Sequence, residues 1–156
     1  MNTEINRILK LFADIQHGEN RSGTNFKEIL HGVLHSKAIF KLSSGTNSSW
    51  EIISHVIYWR VKTANRLKGN DTPPPFIDFR LPEELNETTW KQTLIDFEAS
   101  YHTLRNAIHS FKDENLDKPS PKEGKSFYQL MMECLQHDMY HLGQLTLLKK
   151  VGGHAA

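Results

Sequence analysis

Hydrophobic residues recur every three or four positions along most of this chain, which is the spacing that places side chains on one face of an α-helix. Four long stretches carry the pattern, at residues 5–15, 48–69, 86–111 and 126–150, and a shorter stretch carries it at 26–34. It is clearest in the third long stretch, whose apolar residues are Trp90, Leu94, Phe97, Tyr101, Leu104, Ile108 and Phe111. The sequence therefore predicts four long helices, one short helix and no strand.

Two of the long stretches begin with a recognisable helix start. Ser48 is followed by Glu51, and Ser126 is followed by Gln129. This is the spacing of a capping box, in which the two side chains satisfy free backbone N–H groups of the first turn. We therefore expect helices to begin directly after Ser48 and Ser126.

Prolines separate the predicted helices. The segments 70–82 and 112–124 contain four and two prolines and are predicted to be connections, because proline cannot continue a helix. Four long helices with one apolar face each can bury those faces against one another. We predict an all-α fold, a four-helix bundle with an additional short helix, forming a single domain over residues 1–156.

Composition excludes several classes of partner. The chain has 156 residues, with 19 basic and 18 acidic side chains and a net charge of +1. This balance gives no reason to expect a nucleic acid or an anionic membrane as partner, since both need clustered positive charge. The single cysteine, Cys134, excludes an internal disulfide, and no signal-like or membrane-spanning run is present. We expect a cytoplasmic protein that acts on a small molecule.

The histidines are the compositional feature that points to chemistry. His137 and His141 lie four residues apart on the apolar face of the last helix, so their rings stack on one face. Ring nitrogens left without partners there would cost roughly 1–3 kcal/mol each, and a metal ion would remove that cost. His55, in the inward stretch of the second long helix, would bring the set to three nitrogen ligands, which leaves coordination positions open. The alternative is that His55 is an ordinary core histidine bonded to a backbone carbonyl.

A second pair with the same spacing, His31 and His35, is predicted to lie on the surface or in a loop, because its segment has only a weak pattern. The order His137-Asp138-Met139-Tyr140-His141 also echoes the zinc-protease motif H-E-x-x-H. Aspartate stands where that motif has its glutamate base, and the third histidine of the metzincin continuation is missing. A protease is therefore not favoured.

Two segments resemble a known family. Residues 48–59 are similar to the first motif of the DinB/YfiT-like superfamily, and residues 136–145 are similar to its closing motif. The resemblance implies a bundle with an up-down-down-up course and a metal, often nickel or zinc, held by a histidine triad. Carried over residue by residue, that triad falls on His55, His137 and His141. Imidazole ligands alone do not choose among zinc, nickel, copper and iron.

The resemblance also implies a reaction class. Several members look like transferases that use a low-molecular-weight thiol cofactor to open, isomerise or conjugate a small electrophile, with the ion activating the thiol. A metal-dependent hydrolase that activates water, and a non-catalytic metal-binding stress-response module, are the alternatives. Dimerisation is common in the family, and the apolar Ile39, Phe40 and Phe76 are candidates for a homodimer surface.

Supporting residues near the triad are less specific. Glu51 and Glu133 each precede a triad histidine by four residues and are candidates to accept a ligand N–H group, or else solvated glutamates. Gln144 lies one turn beyond His141 and is a candidate to face the site. Cys134 lies one turn before His137, and we interpret it as core filler rather than a ligand. Tyr58 and Tyr140 could donate hydroxyl groups to the site, but we interpret them as packing residues.

Overall fold

The computed structural model describes residues 3–152, and this part of the chain contains six α-helices and no strand. The fold confirms the predicted all-α class, with four long helices. The helices are α1, Thr3–Gln16; α2, Phe26–Leu30; α3, His35–Ala38; α4, Ser49–Leu67; α5, Glu87–His109; and α6, Phe127–Val151. A single 3-10 turn, Asp113–Asn115, follows α5. None of these helices is both long and apolar enough to cross a lipid bilayer.

Both predicted capping boxes are present. The Ser48 side chain accepts a hydrogen bond from the Glu51 N–H group at 3.3 Å, and Glu51 accepts one from the Ser48 N–H group at 2.7 Å. Ser126 and Gln129 make the same reciprocal pair at the start of α6. These bonds satisfy backbone donors that have no partner within the helix, so they define where α4 and α6 begin.

The predicted short helix over residues 26–34 is wrong in length. It ends at Leu30, because His31 adopts an extended backbone and Gly32 has a φ of +72°, a left-handed conformation that glycine adopts readily. A second short helix, α3, follows at His35–Ala38. The hydrophobic pattern continues through Val33 because that side chain is buried without being helical.

The up-down-down-up course implied by the resemblance agrees with the contacts between helices. The starts of α4 and α5 lie side by side, since the Trp50 and Trp90 rings are 5.1 Å apart. The start of α1 lies near the end of α5, where its Ile5 N–H group donates to Asp113 at 3.0 Å. Helix α6 runs opposite to α4. Its successive contacts along α4 are His55 with His141, Arg60 with Asp138, and Thr63 with Cys134.

A buried ion pair lies at the centre of the bundle. Arg60 on α4 donates from Nε to Asp138 Oδ2 on α6 at 2.8 Å, and neither side chain is exposed to solvent. A second guanidinium nitrogen donates to Gln16 on α1 at 2.8 Å. The guanidinium carbon also lies 4.6 Å from the ring centre of Phe97 on α5, within the range of a cation–π contact. One side chain on α4 therefore contacts each of the other three long helices.

The Asp138 carboxyl depends on Arg60 for its charge. Burial raises the pKa of Asp138, and the charge and hydrogen bond of Arg60 oppose that shift. Removing Arg60 would leave an acidic group in the core without its counter-charge, which is costly because charged groups are strongly hydrated in the unfolded chain.

We therefore expect Arg60→Met to lower the free energy of unfolding by about 3–5 kcal/mol, the usual cost of breaking a buried ion pair on one side. Urea unfolding followed by circular dichroism measures this change. The matched control is Arg7→Met, because Arg7 is exposed and its pair with Glu4 lies on the surface. That control should change stability by less than ~1 kcal/mol. Equal effects of the two substitutions would contradict the role assigned to Arg60.

Candidate metal centre

Three histidine rings from two helices converge inside the bundle. The Nε2 atom of His137 lies 3.0 Å from Nε2 of His55 and 3.1 Å from Nε2 of His141. Among residues 3–152, these three form the group of histidine, cysteine and acidic side chains that is close enough to share a metal ion. The three residues selected from the sequence are therefore brought together as expected.

His55 is held by the proline-containing loop between α4 and α5. Its Nδ1 atom lies 2.7 Å from Asp78 Oδ1, and the Trp59 indole N–H group donates to the other oxygen of Asp78 at 3.2 Å. The Phe79 ring stacks on the His55 ring, with centroids 4.0 Å apart and planes 13° from parallel. Phe79 has a φ of +53°, an uncommon conformation for a large side chain, and its N–H group donates to Asp78 Oδ1 at 2.8 Å.

His141 is held by its own helix. Its Nδ1 atom lies 2.7 Å from Gln144 Oε1, and the amide nitrogen of Gln144 donates to the Tyr140 hydroxyl at 3.1 Å. The prediction that Gln144 faces the site is therefore confirmed. Gln144 lies three residues after His141, where the helix places it on the same face.

These outer contacts determine which ring nitrogens carry protons. A carboxylate and an amide oxygen are acceptors, so the Nδ1 atoms of His55 and His141 must be the protonated ones. In the neutral rings, Nε2 then carries a lone pair. Both lone pairs are directed toward Nε2 of His137, and one N–H group on that atom could bond to only one of them. A cation among the three nitrogens would accept all three lone pairs.

His137 has a different environment. Its Nδ1 atom is buried and has no hydrogen-bond partner in the described part of the chain, and Asp138 Oδ1 lies 4.0 Å away. Burial is the main reason that the pKa of His137 falls to about 4, and the neighbouring His141 and His55 rings add to the shift. Burial also lowers the pKa of His141. Both rings are therefore neutral at pH 7, the form that binds a metal.

Two of the three nitrogen–nitrogen separations are close to those of a first-row transition-metal site. Zinc–nitrogen bonds of about 2.0–2.1 Å in a tetrahedral arrangement separate neighbouring ligand atoms by about 3.3–3.4 Å. The two short separations, 3.0 and 3.1 Å, need to open by only a few tenths of an ångström. No fourth histidine, cysteine or acidic side chain joins the group within residues 3–152, so protein ligands would not fill the coordination shell.

Several other sequence-based candidates lie outside the site. The hydrogen-bond acceptor role considered for Glu51 and Glu133 is wrong, because Glu51 caps α4 and Glu133 pairs with Lys122 and Lys125. Cys134 is buried, and burial raises the pKa of its thiol, in keeping with core filler.

Asp138 occupies the position of the protease base but is fully buried and bonded to Arg60, so it offers no accessible oxygen to activate water. The glutamate base of the H-E-x-x-H motif therefore has no counterpart at this position. Of the second histidine pair, His31 is exposed and the half-buried His35 pairs with Glu87.

Asp78 and Phe79 were not identified from the sequence. They lie in a segment interpreted only as a stiff connection, and no helical spacing relates them to His55. One sequence feature could have pointed to Asp78. It is a single aspartate between apolar residues, Phe76-Ile77-Asp78-Phe79, in a proline-rich loop. A carboxylate beside a predicted histidine ligand is a common arrangement around metals.

Comparisons with known proteins support one assignment. No curated protein and no solved structure matches the chain. The model of the DinB superfamily matches residues 20–145, a range that contains all three histidines together with Asp78, Gln144 and the Arg60–Asp138 pair. On the strength of that match and of the all-helical fold described above, the chain belongs to the DinB superfamily.

Proposed function

We propose that His55, His137 and His141 hold one divalent transition metal ion, and that the protein is a metal-dependent thiol transferase acting on a small electrophile. The observation that carries the metal assignment is the convergence of three Nε2 atoms, two of which have lone pairs directed inward by Asp78 and Gln144. Zinc and nickel are the favoured ions because the resemblance to DinB/YfiT-like proteins implies them, and imidazole ligands accept both.

The transferase assignment rests on two supports. The first is the resemblance of the two histidine motifs to DinB/YfiT-like proteins that use thiol cofactors. The second is the three-ligand set, which leaves room for an exogenous ligand. A bound divalent ion would lower the pKa of a thiol and stabilise its thiolate at neutral pH. In the proposed reaction the sulfur bonds to an electrophilic carbon, the leaving group departs with its electrons, and the thiol proton passes to solvent.

The surroundings of the triad suit this role. His137 is the most open of the three, with 28% of its side chain exposed, compared with 13% for His55. Phe79 covers the His55 ring and limits the access of water from that side. A small-molecule substrate would therefore approach past His137. The predicted homodimer stays a prediction.

We expect the protein, purified without chelator, to carry close to one divalent ion per chain. His141→Ala should remove most of it, because this ring is one of three ligands, while leaving the helical circular dichroism largely intact. Metal analysis by mass spectrometry measures the content. His102→Ala, which removes an exposed imidazole on α5, is the control and should keep the ion. A variant lacking all three site histidines that still binds metal like the parent would show that the ligands are misassigned.

Asp78→Ala should weaken metal binding by about 10–100-fold, the usual effect of removing the hydrogen-bond partner of a ligating histidine. The substitution frees the His55 ring to change tautomer and orientation. Competition with a chromophoric chelator measures the affinity. Asp117→Ala removes an exposed loop carboxylate of the same size and should leave the affinity unchanged. If both variants bind metal as tightly as the parent, Asp78 does not orient the ligand.

The reaction class is tested by offering glutathione, bacillithiol, mycothiol and coenzyme A in parallel with a fluorogenic haloalkyl electrophile. We expect metal-dependent conjugation with at least one thiol and its loss in His141→Ala, whereas His102→Ala should retain it. If no thiol supports turnover and the metal-loaded protein instead cleaves an ester or amide, the hydrolase alternative replaces the transferase.

A further inference from the structure

A cavity of about 200 Å³ opens beside His137 and extends away from the triad between α4 and α6. Trp59 and Leu130 supply apolar walls, while Arg66 on α4 and Lys122 in the loop before α6 supply positive charge. A larger cavity of about 410 Å³ lies between α4 and α5, but none of the three histidines lines it. The smaller cavity is therefore the one that connects the candidate metal centre with charged side chains.

The terminal guanidinium nitrogens of Arg66 have N–H donors available for a ligand. Its side chain is only 13% exposed, and its Nε atom donates to Asp71 Oδ1 at 2.6 Å. In the described part of the chain this is the one acceptor bonded to the guanidinium, so the two terminal nitrogens keep their N–H donors. A guanidinium presents such donors in a fixed planar arrangement that matches the two oxygens of a carboxylate.

The charges around the cavity do not cancel. Asp71 pairs with Arg66 and Lys62, and Glu133 pairs with Lys122 and Lys125. Four cations share two carboxylates, so two positive charges are left over. Hydrogen bonds from Arg66 and then Lys62 lower the pKa of Asp71, and hydrogen bonds from Lys125 and then Lys122 lower the pKa of Glu133. Both carboxylates are thus ionised at pH 7, and the excess positive charge remains.

Size limits what can enter. Sites for drug-sized ligands usually have volumes of about 300–1,000 Å³, so a cavity of about 200 Å³ holds only a short chain of a few heavy atoms. An excess of two positive charges beside an apolar indole favours a ligand with one compact anionic end. A carboxylate meets both conditions, because it is small and pairs with a guanidinium through two parallel hydrogen bonds.

We propose that this cavity selects a small thiol that carries a carboxylate, with the sulfur at the histidine triad and the carboxylate at Arg66 and Lys122. The proposal rests on the proposed function, since it assumes that the triad holds an ion to which a thiol binds. It adds a specificity determinant, Arg66, which lies outside the triad and its hydrogen-bond partners.

The test compares three thiols on the cobalt(II)-loaded protein, using the near-ultraviolet absorption of the thiolate–cobalt pair as the signal for binding. The probes are 3-mercaptopropionate, its neutral methyl ester and the cationic thiol cysteamine. We expect the acid to bind about tenfold more tightly than the ester, because a hydrogen bond between charged partners is worth at least that much. Cysteamine should bind most weakly, and added salt should reduce the preference for the acid.

Two variants and a control test whether the cavity causes the preference for the acid over the ester. Arg66→Met should bring the affinities for the acid and the ester to within about twofold, because it removes the hydrogen bonds between the guanidinium and the carboxylate of the thiol. Lys122→Met alters a partly exposed loop side chain without touching the Arg66–Asp71 pair, and should reduce the preference in part. Arg105→Met removes an exposed cation on α5 and should leave the preference unchanged.

The outcomes separate this inference from the function on which it rests. If thiols bind cobalt but the parent protein does not prefer the acid over the ester, the carboxylate subsite is wrong while the metal and thiol assignments stand. A preference that survives in both Arg66→Met and Lys122→Met would also overturn it, because the acid would then be binding elsewhere. The absence of a thiolate–cobalt band with every thiol would overturn the thiol transferase itself.

Discussion

The bond between Arg60 on α4 and Asp138 on α6 fixes the register of the two helices that carry the histidine triad. Asp138 is the neighbour of His137 in sequence, and Arg60 lies five residues after His55, so this bond sets how far along α4 the last helix is placed. A charged pair in a dry core tolerates little displacement, because its hydrogen bonds must be kept to offset the loss of hydration. The rings of the triad therefore meet in one register.

The second constraint is the loop between α4 and α5. A bundle alone would present His55 on a helix face with its Nδ1 atom open to any acceptor. The loop brings Asp78 and Phe79 to that ring. The hydrogen bond to Asp78 fixes the tautomer of His55, and stacking on Phe79 fixes the orientation of its ring plane. The prolines of this segment limit its conformations, which reduces the entropy lost when it is held against the helix. Bundle and loop together make three ordinary histidines into a preorganised set of ligands.

The sequence predicted much of this arrangement because helices have strong local signals. Capping boxes at Ser48 and Ser126 and the spacing of His137 and His141 depend on residues three or four positions apart. Features that depend on residues distant in sequence were missed. Arg60 was not singled out from the sequence, because its partners Asp138 and Gln16 lie 78 and 44 residues away. Asp78, 23 residues from His55, was missed for the same reason.

In the proposed site the imidazoles of His55, His137 and His141 bind one ion directly. X-ray absorption spectroscopy of the zinc-loaded protein measures the ligand atoms and their distances without any assumption about activity. If the three histidines are the ligands, the first shell consists of nitrogen and oxygen atoms at about 2.0–2.1 Å, with the outer-shell scattering of three imidazole rings. A shell containing sulfur at about 2.3 Å, or one without the imidazole pattern, would contradict it.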